Sequence, residues 1–276
     1  MTPAVSVLIP CYRAEATLPR ALRSLLRQSE PNWEALVVSD DGRDYRALLS
    51  AAGIEDPRVR YCSSGKVGGG AQGARNAGLA LARGRFLAPL DADDLYLPRR
   101  LELMLPLAEA AGAAFDGLQV VDEADGRLYK RYFDDGKARS LDGKAFLALD
   151  VPMMPLVRRD WIEGWDAAID LCDDLALNLK IFAKQPRIPV ASRVLHDYRI
   201  REGSICHAPD SAQRADNGYR ALLDRLYEDG YGLGDPELIG WAIARIEEKR
   251  ALNAAFQRAY EAGDVASFEE FLSHFQ

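Results

Sequence analysis

The chain has 276 residues, 48% of them hydrophobic and 28% charged, with a formal net charge of −7. That length can bury a substantial core, as one large α/β domain or a domain with an appendage. The acidic balance excludes a general nucleic-acid binder, so no nucleic acid is expected as a partner. The N-terminal apolar run, Val5 to Ile9, is too short for a signal peptide or a bilayer span, so no transmembrane segment is expected and any membrane contact would be peripheral. Cys11, Cys62, Cys172 and Cys206 show neither CxxC nor zinc spacing and read as reduced thiols of a cytoplasmic protein.

The first hundred residues alternate strand and helix signals. Val5-Ser6-Val7-Leu8-Ile9 is a β-branched run, as in a strand covered on both faces. Thr17 is the expected N-cap of a helix in which Leu18, Leu22, Leu25 and Leu26 share one face. Trp33 to Ser39 is a second strand, ending in Asp40-Asp41-Gly42, and Val59 to Cys62 a third. Ala71 to Ala82 is an alanine-rich helix, and Arg85 to Leu90 a fourth strand ending in Asp91-Ala92-Asp93-Asp94. Such alternation implies parallel βαβ units, whose ligands bind outside the carboxyl ends of the strands. The aspartates all fall at those ends, so one cleft could hold them.

Two unit charges 4 Å apart at an effective dielectric near 20 interact by about 4 kcal/mol, so Asp91, Asp93 and Asp94 favour a cation among them. Hard oxygens with an open position suit Mg²⁺ or Mn²⁺ carrying a phosphate. The same four residues also read as a solvated loop in which Asp94 caps the helix after Leu95-Tyr96-Leu97-Pro98.

The pattern changes after Ala111. Ala114 to Val121 and Leu128 to Phe133 read as a hairpin around Glu123-Ala124-Asp125-Gly126. Leu171, Leu175, Leu179 and Phe182 mark a helix, and Val190 to Ile200 reads as extended. From about Pro209 the chain is helical, with stripes at Tyr219, Leu222, Leu223 and Leu226 and at Leu238, Ile239, Ala242, Ile243 and Ile246. Packing is the default role of this tail; a homodimer contact and a membrane-surface element are the others.

Gly68-Gly69-Gly70-Ala71-Gln72-Gly73 satisfies G-x-G-x-x-G, with Asp91 about 20 residues on. A dinucleotide fingerprint puts its first glycine at the strand end. Here Ser63 to Val67 intervenes and two complete βα units precede it. The reading is therefore a glycine loop near phosphate, with an NAD-dependent oxidoreductase kept as the alternative.

Val5 to Tyr12, Val37-Val38-Ser39-Asp40-Asp41-Gly42, Ala74-Arg75-Asn76-Ala77-Gly78 and Leu90-Asp91-Ala92-Asp93-Asp94 occur in this order. Together they resemble the family 2 glycosyltransferases of the GT-A fold. Cys172-Asp173-Asp174-Leu175, an acidic pair opening a helix, and Tyr198 to Ile205, a segment closing the nucleotide site, extend the resemblance. It implies an α/β, Rossmann-like fold with a mostly parallel central sheet, helices on both faces and a helical C-terminal appendage. The expected division is a glycosyltransferase domain over 1–207, with a nucleotide-binding half over 1–112 and an acceptor-binding half over 113–207, then a helical extension over 208–276.

The resemblance implies that Pro10, Tyr12 and Asp41 hold the base of a UDP-sugar. Arg75 sits near the base or diphosphate, Asp91 near the ribose or the metal, and Asp93 ligates Mn²⁺ or Mg²⁺. Asp174 is the general base of an inverting transfer to a glycan or lipid-linked acceptor, which would place the protein at the inner face of the membrane. Asp173 and Arg201 are phosphate- or acceptor-side candidates. The chain departs from the family at Arg13, Arg43 and Asp173, where asparagine, serine and glutamate are usual, and at Arg201, where relatives often carry histidine. His196 or His207 would then be substitute metal ligands. A non-catalytic sugar-nucleotide-binding protein of the same fold is the remaining rival.

Overall fold

The computed structural model describes residues 2–149, 151–201, 204, 208, 210–265 and 271. In chain order the elements are β1 (Val5–Cys11), α1 (Leu18–Leu26), β2 (Trp33–Ser39), α2 (Tyr45–Ala51), β3 (Val59–Ser63), α3 (Gly70–Leu81), β4 (Phe86–Pro89), β5 (Leu95–Tyr96), α4 (Arg100–Ala111) and β6 (Ala113–Asp122). Then follow β7 (Leu128–Tyr132), β8 (Arg139–Asp142), α5 (Gly143–Leu147), β9 (Leu156–Arg158), α6 (Asp173–Lys184), β10 (Arg187–Ile200), α7 (Ser211–Glu228) and α8 (Pro236–Ala262).

The strands form one sheet in the order β3-β2-β1-β4-β9-β6-β10-β5, with β7 added to β6 and β8 to β10. It is parallel through β3-β2-β1-β4, as the βαβ rhythm requires. Val7, Ile9 and Val37 feed one layer with Leu18, Leu22 and Leu25 of α1. Leu8, Leu36 and Val38 feed the other with Ala74 of α3. Alternation within a strand that is apolar throughout thus covers the sheet on both sides.

Beyond β4 the sheet is mixed. β9 is antiparallel to both β4 and β6. Two reversals leave β6 running the same way as β4, so the carboxyl end of β6 emerges beside those of β1, β2 and β4. β10 is parallel to β6, and the short β5 closes the edge. Arg100, fully buried, pairs with Asp116 of β6 at 2.8 Å and donates to the Met154 carbonyl at 2.7 Å. A buried guanidinium is tolerable only with such partners.

Two expected caps are formed differently. Thr17 does sit at the N-cap of α1, yet its hydroxyl makes no bond to the helix's first amides. α4 starts only at Arg100, so Asp94 is not its cap and its carboxylate is buried elsewhere. α7 and α8 pack into the main core: Leu222, Leu223, Leu226, Ala242 and Ile246 lie in one cluster with Leu8, Phe115 and Leu179. Among the described residues no helix is long and apolar enough to cross a membrane.

Candidate active site

The β2–α2 turn carries Asp41, its side chain 7% exposed. Oδ2 accepts from the Arg13 amide at 2.7 Å and the Tyr45 hydroxyl at 2.9 Å, and Oδ1 from the Arg43 amide at 3.1 Å and the Ser39 hydroxyl at 3.2 Å. Burial works to raise its pKa, but these four donors outweigh it and hold the carboxyl below its usual value. Arg13 adopts φ 51°, and its guanidinium lies 5.3 Å from the centre of the exposed Tyr12 ring. Pro10, two residues earlier on β1, is half-buried opposite Val38. A cavity of about 370 Å³ abuts this turn, bounded by Ser39, Gly42, Tyr45, Tyr61 and Ser63.

Asp40 does something the sequence left open. Its carboxylate accepts from the amides of Gly69 at 3.1 Å and Gly70 at 2.9 Å and from the Ser64 hydroxyl at 2.7 Å. The amides at the start of α3 are therefore already satisfied by an internal anion where a dinucleotide's pyrophosphate would have to sit. This is the physical reason the glycine motif is not a dinucleotide fingerprint. Asp40→Ala should lower unfolding stability by about 2 kcal/mol, because it strands those donors; urea denaturation reads it.

The Asp91–Asp94 loop is split by its partners. Asp94 is buried, accepting from the Arg199 amide at 2.8 Å and facing His196 Nε2 at 3.0 Å. Burial pushes it up to about 6, against the pull of His196. His196 is itself buried and edge-on to Tyr96, so Asp94 and His196 form a structural pair below the cleft. Asp91 and Asp93 line the cleft. Asp91 accepts from Arg75 at 2.5 Å and Asp93 from Arg201 Nε at 2.8 Å. Burial and the Asp91 charge raise the Asp93 carboxyl against that hydrogen bond.

Arg75, on α3 and only 3% exposed, also pairs with Asp173, so it bridges the β4 loop to the start of α6. Burial acts to lower its pKa, but Asp173 and Asp91 more than reverse this. Burial raises Asp173 in turn, with Arg75 opposing. Asp174, the next residue in the first turn of α6, is half-buried and has no arginine bonded to it among the described residues. Burial and the neighbouring Asp173 charge push it up to about 7; the Leu175 amide and the Arg75 charge pull the other way, and Lys249 of α8 less so.

Several supporting residues carried only a weak signal in one dimension. Gln72 donates to the carbonyls of Ile169 and Asp170 at 2.6 Å each, and Asn76 exchanges bonds with the Trp165 backbone at 2.7 and 2.9 Å. With Arg75 they pin one face of α3 to the loop before α6; their spacing along a helix was the available clue. Glu123, at the hairpin turn, binds Arg20 of α1 and, at 2.7 Å, Arg199 of β10, and Arg20 reaches the Asp93 carbonyl at 3.1 Å. His207 and residues 202, 203 and 205 of the expected closing segment lie outside the described residues.

Arg75 thus brings the β4 loop and the start of α6 together through Asp91 and Asp173, and Arg201 reaches the same loop at Asp93. Among the described residues no three His, Cys, Asp or Glu side chains are grouped to hold a metal by themselves. Asp91 and Asp93 offer hard oxygens. That donor set fits Mg²⁺ or Mn²⁺ if phosphate oxygens and water complete the shell, the usual pattern for Mg²⁺. Arg201 must then release Asp93.

Residues 6–165 match the family model described as glycosyl transferase family 2. The chain is 36% identical over 220 residues to the succinoglycan biosynthesis protein ExoO of Rhizobium meliloti (strain 1021), covering 74% of this chain and 62% of ExoO. It is 37% identical over 103 residues to the Escherichia coli UDP-Glc:alpha-D-GlcNAc-diphosphoundecaprenol beta-1,3-glucosyltransferase WfgD, covering 37% of this chain and 40% of WfgD. The chain therefore spans less than two thirds of either relative. S. aureus TarS 1-349 in complex with UDP superposes with TM-score 0.58 at 16% identity, over 94% of this chain and 91% of that one. TarS 1-349 with UDP-GlcNAc gives TM-score 0.60 at 15% identity, over 94% and 92%. The fold is GT-A, and with its strand-end aspartates and matching sequence the chain belongs to glycosyl transferase family 2.

Proposed function

We propose that the chain is an inverting glycosyltransferase that moves a sugar from a UDP-sugar to a glycan or lipid-linked acceptor, with Asp174 as general base. The observation that carries this is the bridge that buried Arg75 makes between Asp91 and Asp173, with Asp93 on Arg201 and Asp174 next to Asp173 without an arginine partner among the described residues. A base needs a free carboxylate titrating near working pH, and burial supplies that. The donor class is supported by the nucleotides named with TarS and by the UDP-Glc in the name of WfgD. The acceptor class is supported by the lipid diphosphate in that same name and by the polysaccharide role of ExoO.

In this reading Tyr12 offers a face and Pro10 a rigid edge to the base. Asp41 accepts from the uracil N–H. Its four lone-pair positions are engaged, so the base displaces the longest bond, that from Ser39. Arg75 fixes Asp91 toward the ribose and holds Asp173, which keeps the Asp174 carboxylate aimed into the cleft. Asp93, with Asp91, would hold a divalent ion, whose contribution is to neutralise charge on the leaving diphosphate. Arg201, once off Asp93, pairs with that diphosphate. Asp174 takes the proton from the acceptor hydroxyl as it attacks the anomeric carbon from the face opposite the leaving group, inverting that centre. The half over 1–112 would serve the nucleotide and 113–207 the acceptor, and α7 and α8 of the extension over 208–276 would back α6 through the shared core.

A thermal-shift panel of UDP, GDP, dTDP, CMP and NADH, each with and without Mn²⁺, tests the reading. UDP with Mn²⁺ should stabilise most, by about 2.7 kcal/mol at 100 times its dissociation constant. Asp93→Asn should remove the Mn²⁺-dependent part. Stabilisation by NADH alone would overturn the assignment.

A further inference from the structure

α7 lies along the segment that leads into α6 and meets it with one face. Arg214 donates through Nε to Asp170 at 2.5 Å, and Arg225 through Nε to Asp166 at 3.2 Å. Gly218, between them, is packed so closely that a Cβ there would collide with the Leu171 carbonyl oxygen. Positions 214, 218 and 225 are four and seven residues apart, the spacing of one helical face. The opposite face is braced by α8: Arg250 donates to Asp216 at 2.9 Å and Asn253 to the Ala212 carbonyl at 2.7 Å. From the other side of the segment, Gln72 of α3 holds the Ile169 and Asp170 carbonyls and Arg75 holds Asp173. Between these two grips Cys172 sits at φ 69°, a left-handed backbone that a non-glycine residue keeps only when its surroundings over-determine it. Cys172 is the last residue before the helix that carries Asp173 and Asp174.

We propose that α7 sets the position of the Asp174 carboxylate, with Arg214 and Gly218 as positioning residues that act through residues 170–172. This rests on the proposed function, in which Asp174 takes the acceptor proton. A general base works only within hydrogen-bond reach of that proton, so the direction in which the segment enters α6 decides whether Asp174 can act. Gly218 supplies the close approach: with no Cβ, the α7 backbone comes down onto Leu171, and any larger residue pushes the two apart. Arg214 fixes the segment sideways, since a guanidinium bound to a carboxylate is directional. Asp170 is 40% exposed and Arg214 27%, so their pair adds little to stability and its use is geometric. α8 takes part from behind: besides bracing α7, its Lys249 acts on the Asp174 charge. The helical extension thereby belongs to the apparatus that aims the base, beyond its share of the core.

The simpler account is that α7 only covers the core, since Leu222, Leu223 and Leu226 are buried on it. Release of UDP from UDP-glucose or UDP-GlcNAc by the full chain, with Mn²⁺ and water as acceptor, separates the two. There the water oxygen bonds to the anomeric carbon, the bond from that carbon to the diphosphate breaks, and the water proton goes to Asp174. Gly218→Ala is expected to lower kcat by about 10²-fold and Arg214→Ala by about tenfold, both keeping the UDP thermal shift, because a displacement of about 1 Å at the base costs on this order. Arg214→Lys should recover part of the loss. Urea unfolding at about pH 4 and pH 8 gives a readout without turnover. Asp174→Asn should gain less stability at pH 8 in the Gly218→Ala background than in the wild-type background, since a displaced carboxyl is less buried. Where neither donor turns over with water, that comparison decides alone. A merely covering α7 predicts lower stability at both pH values and neither of these changes. Wild-type kcat in both variants, or an unchanged gain from Asp174→Asn in the Gly218→Ala background, overturns the proposal. So does loss of the UDP shift together with turnover, which marks general damage. Normal turnover by Asp174→Asn overturns the general-base reading itself, so the two failures are told apart.

Discussion

Replacing Asp174 by asparagine is expected to lower kcat by about 10²- to 10⁴-fold while leaving the affinity for UDP unchanged. The carboxylate is held in the first turn of α6 with no arginine bonded to it among the described residues, so its loss removes the proton acceptor without disturbing the bridge made by Arg75. The pH profile gives an independent readout. With the carboxyl pushed up to about 7, kcat/KM of the wild type should fall about tenfold per unit below that pH, and this limb should vanish in the residual activity of the variant. Normal turnover by Asp174→Asn would end the assignment.

The same shift has a consequence for stability, and its sign is fixed. The native state holds this proton more tightly than the unfolded chain does, so native stability from this group is full below about pH 4 and declines as pH rises to about 7. Asp174→Asn should therefore be more stable than wild type at pH 8, with the difference shrinking to nothing near pH 4. Because the side chain keeps partial access to the cleft, the gain is on the order of 1–2 kcal/mol. Chemical denaturation at the two pH values measures it; a variant less stable at pH 8 than at pH 4 relative to wild type contradicts the burial argument.

The second large effect belongs to Arg75. Arg75→Ala is expected to lower unfolding free energy by about 3 kcal/mol, and the melting temperature by roughly 10 °C, and to abolish UDP stabilisation. The guanidinium is nearly fully buried between Asp91 and Asp173, and deleting it leaves two carboxylates facing each other across the cleft. Arg75→Lys should rescue little, since a single ammonium cannot span both acids as a planar fork does. Urea unfolding and a UDP thermal shift check both. Wild-type stability in Arg75→Ala would mean that the bridge contributes nothing.

The amino-acid sequence by itself determined the β1–β4 half of the fold and the location of its acids. Short apolar runs ending in turn residues read as strands buried on both faces, and strands alternating with short amphipathic helices read as parallel units, which places Asp41 and Asp91 to Asp94 at one edge. The hairpin and α6 were legible for the same reason of local periodicity. The short elements between Arg139 and Arg158, and the antiparallel insertion of β9, were not, because a three-residue strand has no period and takes its place from its neighbours. Only the tertiary structure decided what each acid does. Asp40 and Asp41 are adjacent and chemically identical, yet one ties down the glycine loop and the other is held by Arg13, Ser39, Arg43 and Tyr45. Asp93 and Asp94 are likewise adjacent, yet one opens to the cleft and the other is buried on His196. Those roles are set by partners far away in the chain, Arg75, His196 and Arg201, and by the desolvation that packing alone creates.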